Sequence, residues 1–159
     1  LGMLIIDYNI GVEGERVSSE ASVKIVNVND ETIALGGAGN VVHNLKTLGA
    51  TVDIISVIGG GEISDDLKEL LEDIEINTKY LIMEKGRSTS KKSRIIASQQ
   101  QVVRYDREST AEINIKSQKL IIDTFKKIVS DYDVVLLSDY GKGVLTNLLT
   151  QSLINIAKN

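Results

Sequence analysis

A glycine-rich segment, Gly36-Gly37-Ala38-Gly39-Asn40, offers the most informative chemistry in the sequence, and a helix pattern follows it directly. Glycines let backbone N–H groups approach a ligand closely, and a helix N-terminus favours an anion or a polar oxygen. The Asn40 side chain can both donate and accept hydrogen bonds. These properties suit a ligand with many hydroxyl groups. A glycine-rich turn that only caps the helix stays open as an alternative, because short glycine motifs occur often by chance.

This segment differs from the common nucleotide-binding glycine motifs. A P-loop would need Gly-Lys-Ser/Thr after it, and a dinucleotide fingerprint would need glycine at or near Val42. A nucleotide-cofactor oxidoreductase is therefore a weakened alternative.

Two aspartates follow apolar runs that predict strands. Asp7 comes after Leu4–Ile6, and Asp139 comes shortly after Val134–Leu137. Open α/β sheets bind ligands at the carboxyl ends of their strands, so both carboxylates are candidate ligand-binding groups. Each aspartate could instead cap a turn, where this residue type is common.

Alternating strand and helix patterns position these residues. Helices are predicted at Ala38–Leu48, Ser64–Asp73, Ser117–Val129 and about Leu145–Ala157, and strands at Leu4–Ile6, Val52–Ile58, Tyr80–Met83 and Val134–Leu137, the last being the clearest buried strand. The alternation predicts an α/β fold with a mostly parallel sheet covered by helices on its faces.

Two stretches do not fit simple alternation and predict extra strands. They are Val17–Thr32 and Ser88–Asp106. Strands that leave a parallel sheet often form a separate flap, and a flap beside the carboxyl edge of a sheet is a plausible lid over a ligand. Lys91 and Lys92 fall in the second stretch, where we expect both to lie on a solvated face of the lid.

Composition limits the class of protein. The chain has 159 residues, 42% of them hydrophobic, which suits one domain with an ordinary core. Its apolar runs are far shorter than the roughly 20 residues that cross a bilayer, and the N-terminus lacks a secretory pattern, so we expect no membrane partner. A formal net charge of -4 disfavours nucleic acid, and the absence of cysteine fits a cytoplasmic protein whose metal, if any, is a hard ion such as Mg²⁺.

The glycine-rich segment continues as Val41-Val42, with Asn44-Leu45 and Leu48-Gly49-Ala50 after it. This run resembles the first signature of the ribokinase-like (PfkB) carbohydrate kinases, and Asp7 occupies the place of that family's early sugar-binding aspartate. Three further segments resemble the heptose-phosphate kinase branch of the family, in the same order along the chain. They are Glu15–Ala21, the glutamine-containing strand Ser98–Asp106, and the turn Leu137–Gly143.

The resemblance covers essentially the whole chain and implies both a fold and an activity. The fold would be a ribokinase-like three-layer α/β/α arrangement spanning residues 1–159, with a lid inserted at about residues 12–35 and 86–108. The activity would transfer the ATP γ-phosphate, with Mg²⁺, to the anomeric hydroxyl of D-glycero-D-manno-heptose 7-phosphate. The product would be the 1,7-bisphosphate used in ADP-heptose and lipopolysaccharide core synthesis.

The resemblance also assigns provisional roles to residues. Sugar hydroxyls would be held by Asp7, Gly36, Gly37 and Asn40, with Asp139 as a further candidate. Gln100 and Gln101 could also reach these hydroxyls, or could belong to a polar turn between two lid strands. The substrate phosphate has three candidate partners, Arg94, Arg104 and Lys142, because guanidinium and ammonium groups neutralise phosphate with charge-assisted bonds. The single histidine, His43, is expected to be structural.

The family's second signature, Gly-Ala-Gly-Asp, does not occur after Gly143. That signature supplies the general base, so we assign no catalytic residue to this chain and expect the base and the nucleotide site beyond Asn159. The chain alone is expected to bind sugar without phosphorylating it, and a homodimer through the lid strands is expected. The open alternatives are another ribokinase-like sugar specificity and a non-catalytic module for sugar binding or dimerisation.

Overall fold

A computed structural model describes residues 1–20 and 24–158 of the chain. Within them the secondary-structure elements are β1 (Leu4–Val17), β2 (Lys24–Gly37), α1 (Ala38–Thr47), β3 (Ser56–Ile58), α2 (Glu62–Asp73), β4 (Leu81–Met83), β5 (Ser90–Ala97), β6 (Gln100–Arg107), α3 (Ile115–Ile128) and α4 (Asn147–Ala157), with a 3₁₀ turn at Val129–Asp131. None of the helices in the described part is long and apolar enough to cross a membrane.

Residues 3–6 lie at the centre of the core, between two clusters of apolar side chains. Successive side chains of this strand point to opposite faces, so each cluster receives every second residue. Met3 and Ile5 pack into a cluster with residues of α3 and α4. Leu4 and Ile6 pack into a second cluster with residues of α1 and α2. The two clusters cover the two faces of the central strands, so the predicted three-layer α/β/α arrangement is confirmed.

The central strands run parallel to one another. β3 pairs with β4 in parallel, and the amide of Gly2 donates to the carbonyl of Ile55 at 3.3 Å. On the other side, Gly2 forms a parallel bridge with Ser138. The beginning of the chain therefore lies between the segment that contains β3 and the segment that ends at Ser138.

A four-stranded sheet extends from this core in the order β2-β1-β5-β6. The β1–β5 pairing is parallel, whereas β1–β2 and β5–β6 are antiparallel. β1 has 14 residues, so its first part belongs to the core and the rest to this sheet, which we call the lid sheet. The predicted inserted strands are confirmed: the two antiparallel pairings belong to this lid sheet, whereas the core strands pair in parallel, as predicted.

The prediction of a buried strand at Val134–Leu137 is wrong. The segment forms no regular strand, and Val134 is 79% exposed. Its backbone pairs on one side only, where the N-terminal amine donates to the carbonyl of Leu136 at 2.7 Å and the amide of Ser138 donates to the carbonyl of Leu1 at 2.9 Å. An apolar run shows a preference for burial but not whether neighbouring strands lie on both sides of it.

Candidate functional site

Charged side chains share one face of the lid sheet. Asp7 lies opposite Lys92 of β5, and Lys92 lies opposite Asp106 of β6. In the next row Asn9 lies opposite Arg94, and Arg94 lies opposite Arg104. Directly opposed residues point to the same face of a sheet. Farther along β1, Asp30 lies opposite Gly11 on the same face. We call this surface the charged face, and its members are Asp7, Asn9, Asp30, Lys92, Arg94, Arg104 and Asp106.

Two ion pairs order the charged face. Arg94 Nη1 lies 2.7 Å from Asp7 Oδ1, and Arg104 Nε lies 3.1 Å from Asp106 Oδ1. The side chains of Asp7 and Arg94 are 24% and 28% exposed, so a ligand can reach both. A guanidinium has five N–H donors, and each arginine therefore keeps donors for a ligand after forming its ion pair.

Gly36 leaves the space that the Asp7 carboxylate occupies. It lies opposite Ile5, next to Asp7 on the same face, and a Cβ atom at Gly36 would lie 2.5 Å from Asp7 Oδ2. Gly37 has a different reason to be glycine, because its φ is +58° and a Cβ atom there would lie 2.6 Å from the carbonyl oxygen of Met3. The turn explains Gly37, whereas Gly36 is explained by Asp7.

Asn40 lies in the first turn of α1 and is exposed. The amide of Ala38 donates to the carbonyl of Met3 at 2.8 Å, and the other N–H groups of the first turn have no side-chain cap, so they can donate to a ligand. This arrangement is compatible with the predicted role of Asn40, but no contact joins Asn40 to Asp7.

Lys142 belongs to a second charged group, at the end of β6. Its Nζ atom lies 2.6 Å from Oε1 of Glu108, the residue that follows β6. The other carboxylate oxygen of Glu108 is buried and has no hydrogen-bond partner among the described residues. Asp139 is exposed, and its Oδ1 accepts from the amide of Gly141 at 2.8 Å, which is the geometry of a turn.

Arg87, which the sequence did not indicate, joins the loops around Lys142. Its side chain is 5% exposed and donates to the carbonyls of Ala111 at 3.0 Å and Lys142 at 2.9 Å. Glu84 Oε1 lies 3.9 Å from Arg87, and Glu84 Oε2 accepts from the amide of Asn114 at 3.0 Å. Burial lowers the pKa of Arg87, and the charge of Glu84 opposes that shift. A buried guanidinium that bonds to backbone carbonyls fixes the loops that supply them.

The structure therefore brings Asp7, Gly36 and Arg94 together. Arg104 lies in the row next to Asp7, two strands away, which corresponds to roughly 10 Å across the sheet. Asp7 itself lies inside β1 rather than after it, because the strand continues to Val17. The predicted short strand was only the buried beginning of a longer one.

Gln100 is not brought to this group. It lies opposite Ala97, which lies opposite Val12, five residues along β1 from Asp7 or roughly 17 Å. A register shift after Ile95 puts Gln101, rather than Gln100, in line with the charged face. The sequence could not show this, since one extra residue in a strand reverses the face of every residue beyond it.

Lys91 and Lys92 also separate, although both were predicted to be solvated. Lys91 lies over the Tyr8 ring, with Nζ 3.2 Å from the ring centroid, and the Tyr8 hydroxyl donates to Asp66 of α2. Lys92 lies on the charged face. The alternation of strand residues carried a usable signal, because Lys92 is two residues from Arg94 and shares its face.

A separate cavity of about 560 Å³ lies between α1 and residues 129–136. Its walls are mainly apolar and include Val41, Leu45 and Phe125, and it contains none of the predicted site residues. Within residues 1–20 and 24–158, no cluster of three or more His, Cys, Asp or Glu side chains could hold a metal ion.

A family model described as pfkB family carbohydrate kinase matches residues 1–159. The chain belongs to the pfkB family. Its resemblance to that family is thereby confirmed, together with the α/β fold class.

Solved structures agree at the level of the fold. A carbohydrate kinase from Agrobacterium tumefaciens is 19% identical, with a TM-score of 0.65 over 99% of this chain and 48% of that one. Phosphofructokinase-2 from Escherichia coli is 16% identical, with a TM-score of 0.69 over 98% of this chain and 49% of that one.

Among curated proteins, the chain is similar to several called bifunctional protein HldE. It is 56% identical over 157 residues to that of Aliarcobacter butzleri, covering 99% of this chain and 33% of the relative. It is 50% identical over 158 residues to that of Campylobacter fetus, covering 99% of this chain and 34% of the relative. The chain thus spans about a third of the length of these relatives.

Proposed function

We propose that this chain is the sugar-binding part of a carbohydrate kinase whose acceptor is D-glycero-D-manno-heptose 7-phosphate. The observation that carries the proposal is Asp7, held by Arg94 and given room by Gly36 on a reachable charged face. Membership of the pfkB family supports the class of enzyme, and similarity to the HldE proteins supports the heptose branch. The product would be the 1,7-bisphosphate of ADP-heptose and lipopolysaccharide core synthesis.

The proposed roles follow from the chemistry of each group. The Asp7 carboxylate accepts hydrogen bonds from sugar hydroxyls, and Gly36, Gly37 and Asn40 present N–H and amide groups to the same ligand. The substrate phosphate is neutralised by cations, for which the candidates are Arg94 and Arg104 of the charged face and Lys142 of the second charged group. We keep Asp139 as a weaker sugar-binding candidate, since its carboxylate already accepts from a turn amide.

ATP supplies the transferred phosphoryl group in this proposal, and Mg²⁺ neutralises it. The described residues offer no metal cluster, and the sequence lacks the Gly-Ala-Gly-Asp signature. We therefore assign ATP, Mg²⁺ and the general base to residues outside this chain and derive no step through them. A cytoplasmic location fits the absence of cysteine.

The test is a calorimetric titration of the chain with heptose 7-phosphate and with fructose 6-phosphate. We expect the heptose phosphate to bind more tightly, and Asp7→Asn to weaken it by about 10-fold or more, because a hydrogen bond to a charged group contributes about 1.5–3 kcal/mol. Asp123→Asn is the matched control, since Asp123 is exposed on α3. Equal affinity for both sugars would contradict the heptose assignment, and an unaffected Asp7→Asn variant would contradict the site.

A second proposal, that the chain forms a homodimer through the lid sheet, rests on the face opposite the charged one. Val103 lies opposite Ile95, and Ile95 lies opposite Ile10. In the neighbouring row Tyr105 and Ile33 belong to the same face. Tyr105, Val103 and Ile33 are 50%, 48% and 41% exposed. Exposed apolar side chains that adjoin on one face favour association.

A further inference from the structure

Lys92 is a basic residue on the charged face that the proposed function does not use. Each of the two carboxylates that flank it already has an arginine partner: Asp7 lies 2.7 Å from Arg94, and Asp106 lies 3.1 Å from Arg104. Lys92 lies between these two carboxylates in the sheet and forms no ion pair within the described part of the chain. It is therefore the cation of this face that is not committed to a carboxylate.

Position makes Lys92 able to reach the same ligand as Asp7 and Arg94. It lies directly opposite Asp7 on the neighbouring strand, about 5 Å away, and two residues or roughly 7 Å before Arg94 on its own strand. Its side chain is partly exposed. A ligand that contacts Asp7 on this face thus lies within reach of the Lys92 ammonium group.

The charges next to Lys92 favour an anion at this point. The charged face as a whole is balanced, with three carboxylates (Asp7, Asp30 and Asp106) and three cations (Lys92, Arg94 and Arg104). Asp30 lies opposite Gly11, four residues or roughly 13 Å along β1 from Asp7, so beside Asp7 the uncommitted charge is the one on Lys92, because both arginines are paired. A neutral sugar gains little from an unpaired ammonium group, but a phosphate gains a charge-assisted bond.

Lys91 provides the contrast within the same strand. Its ammonium group lies over the Tyr8 ring on the opposite face, and Tyr8 is bonded to α2 through Asp66. Lys91 therefore helps to attach the lid sheet to α2, while its neighbour faces the candidate sugar site. Two adjacent lysines of identical chemistry have different surroundings only because strand side chains alternate.

We propose that Lys92 binds the phosphate of the substrate and so selects phosphorylated over unphosphorylated sugars. This inference rests on the proposed function, since it takes the charged face to be the sugar site. It assigns the specificity for a phosphate to a residue of β5, in addition to the candidates Arg94, Arg104 and Lys142.

The experiment compares Lys92→Met, Lys92→Arg and the matched control Lys91→Met by calorimetric titration with heptose 7-phosphate and with the unphosphorylated heptose. We expect Lys92→Met to weaken heptose 7-phosphate binding by about 10- to 100-fold and to leave the unphosphorylated heptose within about twofold, because only the charged bond is lost. Lys92→Arg should retain most of the affinity. Lys91→Met should lower the melting temperature and leave both affinities close to those of the original chain.

Three outcomes would overturn the inference: an unchanged affinity in Lys92→Met, an equal loss for both sugars, or the same selective loss in Lys91→Met. A chain that binds heptose 7-phosphate normally in every variant contradicts only the role of Lys92. An original chain that binds neither sugar contradicts the proposed function itself, and the inference fails with it. Melting temperatures of all variants establish that each one is folded.

Discussion

At the scale of single residues, the pairing of Asp7 with Arg94 explains why a glycine is needed at position 36. Gly36 does not adopt a positive φ, so its backbone suits any residue. The constraint is the Asp7 carboxylate, which would lie 2.5 Å from an added Cβ atom. The glycine therefore serves the site rather than the turn.

Gly36→Ala should accordingly reduce ligand binding more than it reduces stability. The added methyl group displaces the Asp7 carboxylate and weakens its bond to Arg94, so we expect about a 10-fold loss of heptose 7-phosphate affinity by calorimetry. Gly60→Ala is the control, because its Cβ atom would meet only Met83 Sδ at 3.9 Å. Equal affinities in the two variants would show that the position of the Asp7 carboxylate does not matter for binding.

Part of this candidate site could be predicted from the sequence. Asp7 and the glycine-rich segment were indicated by their residue types, and Arg94 was indicated by the resemblance to the family. Lys92, Arg87 and Glu108 were not, because their surroundings depend on strand register and on loops brought together from distant parts of the chain. The sequence around a single lysine or glutamate does not show whether its side chain is solvated or faces a ligand.

At the scale of elements, the lid sheet has two faces with different chemistry. One carries Asp7, Lys92 and Arg94, and the other carries exposed apolar side chains such as Val103 and Tyr105. The sheet is joined to the core by the long β1, by the bond from Tyr8 to Asp66, and by the hydrogen bonds of Arg87. Such a sheet can present a ligand site on one face and an association surface on the other.

A homodimer through the apolar face predicts that Val103→Lys yields a monomer. A charge placed among apolar contacts would have to be buried without a partner, which is costly. Size-exclusion chromatography with light scattering measures the mass directly. Leu148→Lys serves as the control, because Leu148 is 80% exposed on α4, away from the lid sheet. A Val103→Lys variant with the same mass as the original chain would rule out this face as the interface.

Elements whose apolar residues recur with a clear helical period were the most predictable part of the fold. The helices were found close to their observed bounds, since each buries an apolar stripe. Val134–Leu137 was misjudged because its apolar residues give no information about neighbouring strands. Likewise, the length of β1 was missed because its outer part alternates polar and apolar residues across an exposed sheet.

At the scale of the whole molecule, the chain provides the acceptor site of the proposed kinase. It spans about a third of the HldE proteins to which it is similar. The candidate site lies at the junction of core and lid sheet, where β1 leaves the three-layer core. The three-layer arrangement could be expected from the alternating elements, whereas the junction required the observed pairing of β1 with β5.

The central claim is that a heptose phosphate binds on the charged face around Asp7. Its most direct test is ¹H–¹⁵N spectroscopy of the labelled chain during titration with heptose 7-phosphate. We predict the largest shifts at the backbone amides of Asp7–Asn9, Gly36–Asn40 and Lys92–Arg94. The absence of saturable shifts, or shifts concentrated on the apolar cavity lined by Val41 and Phe125, would contradict it.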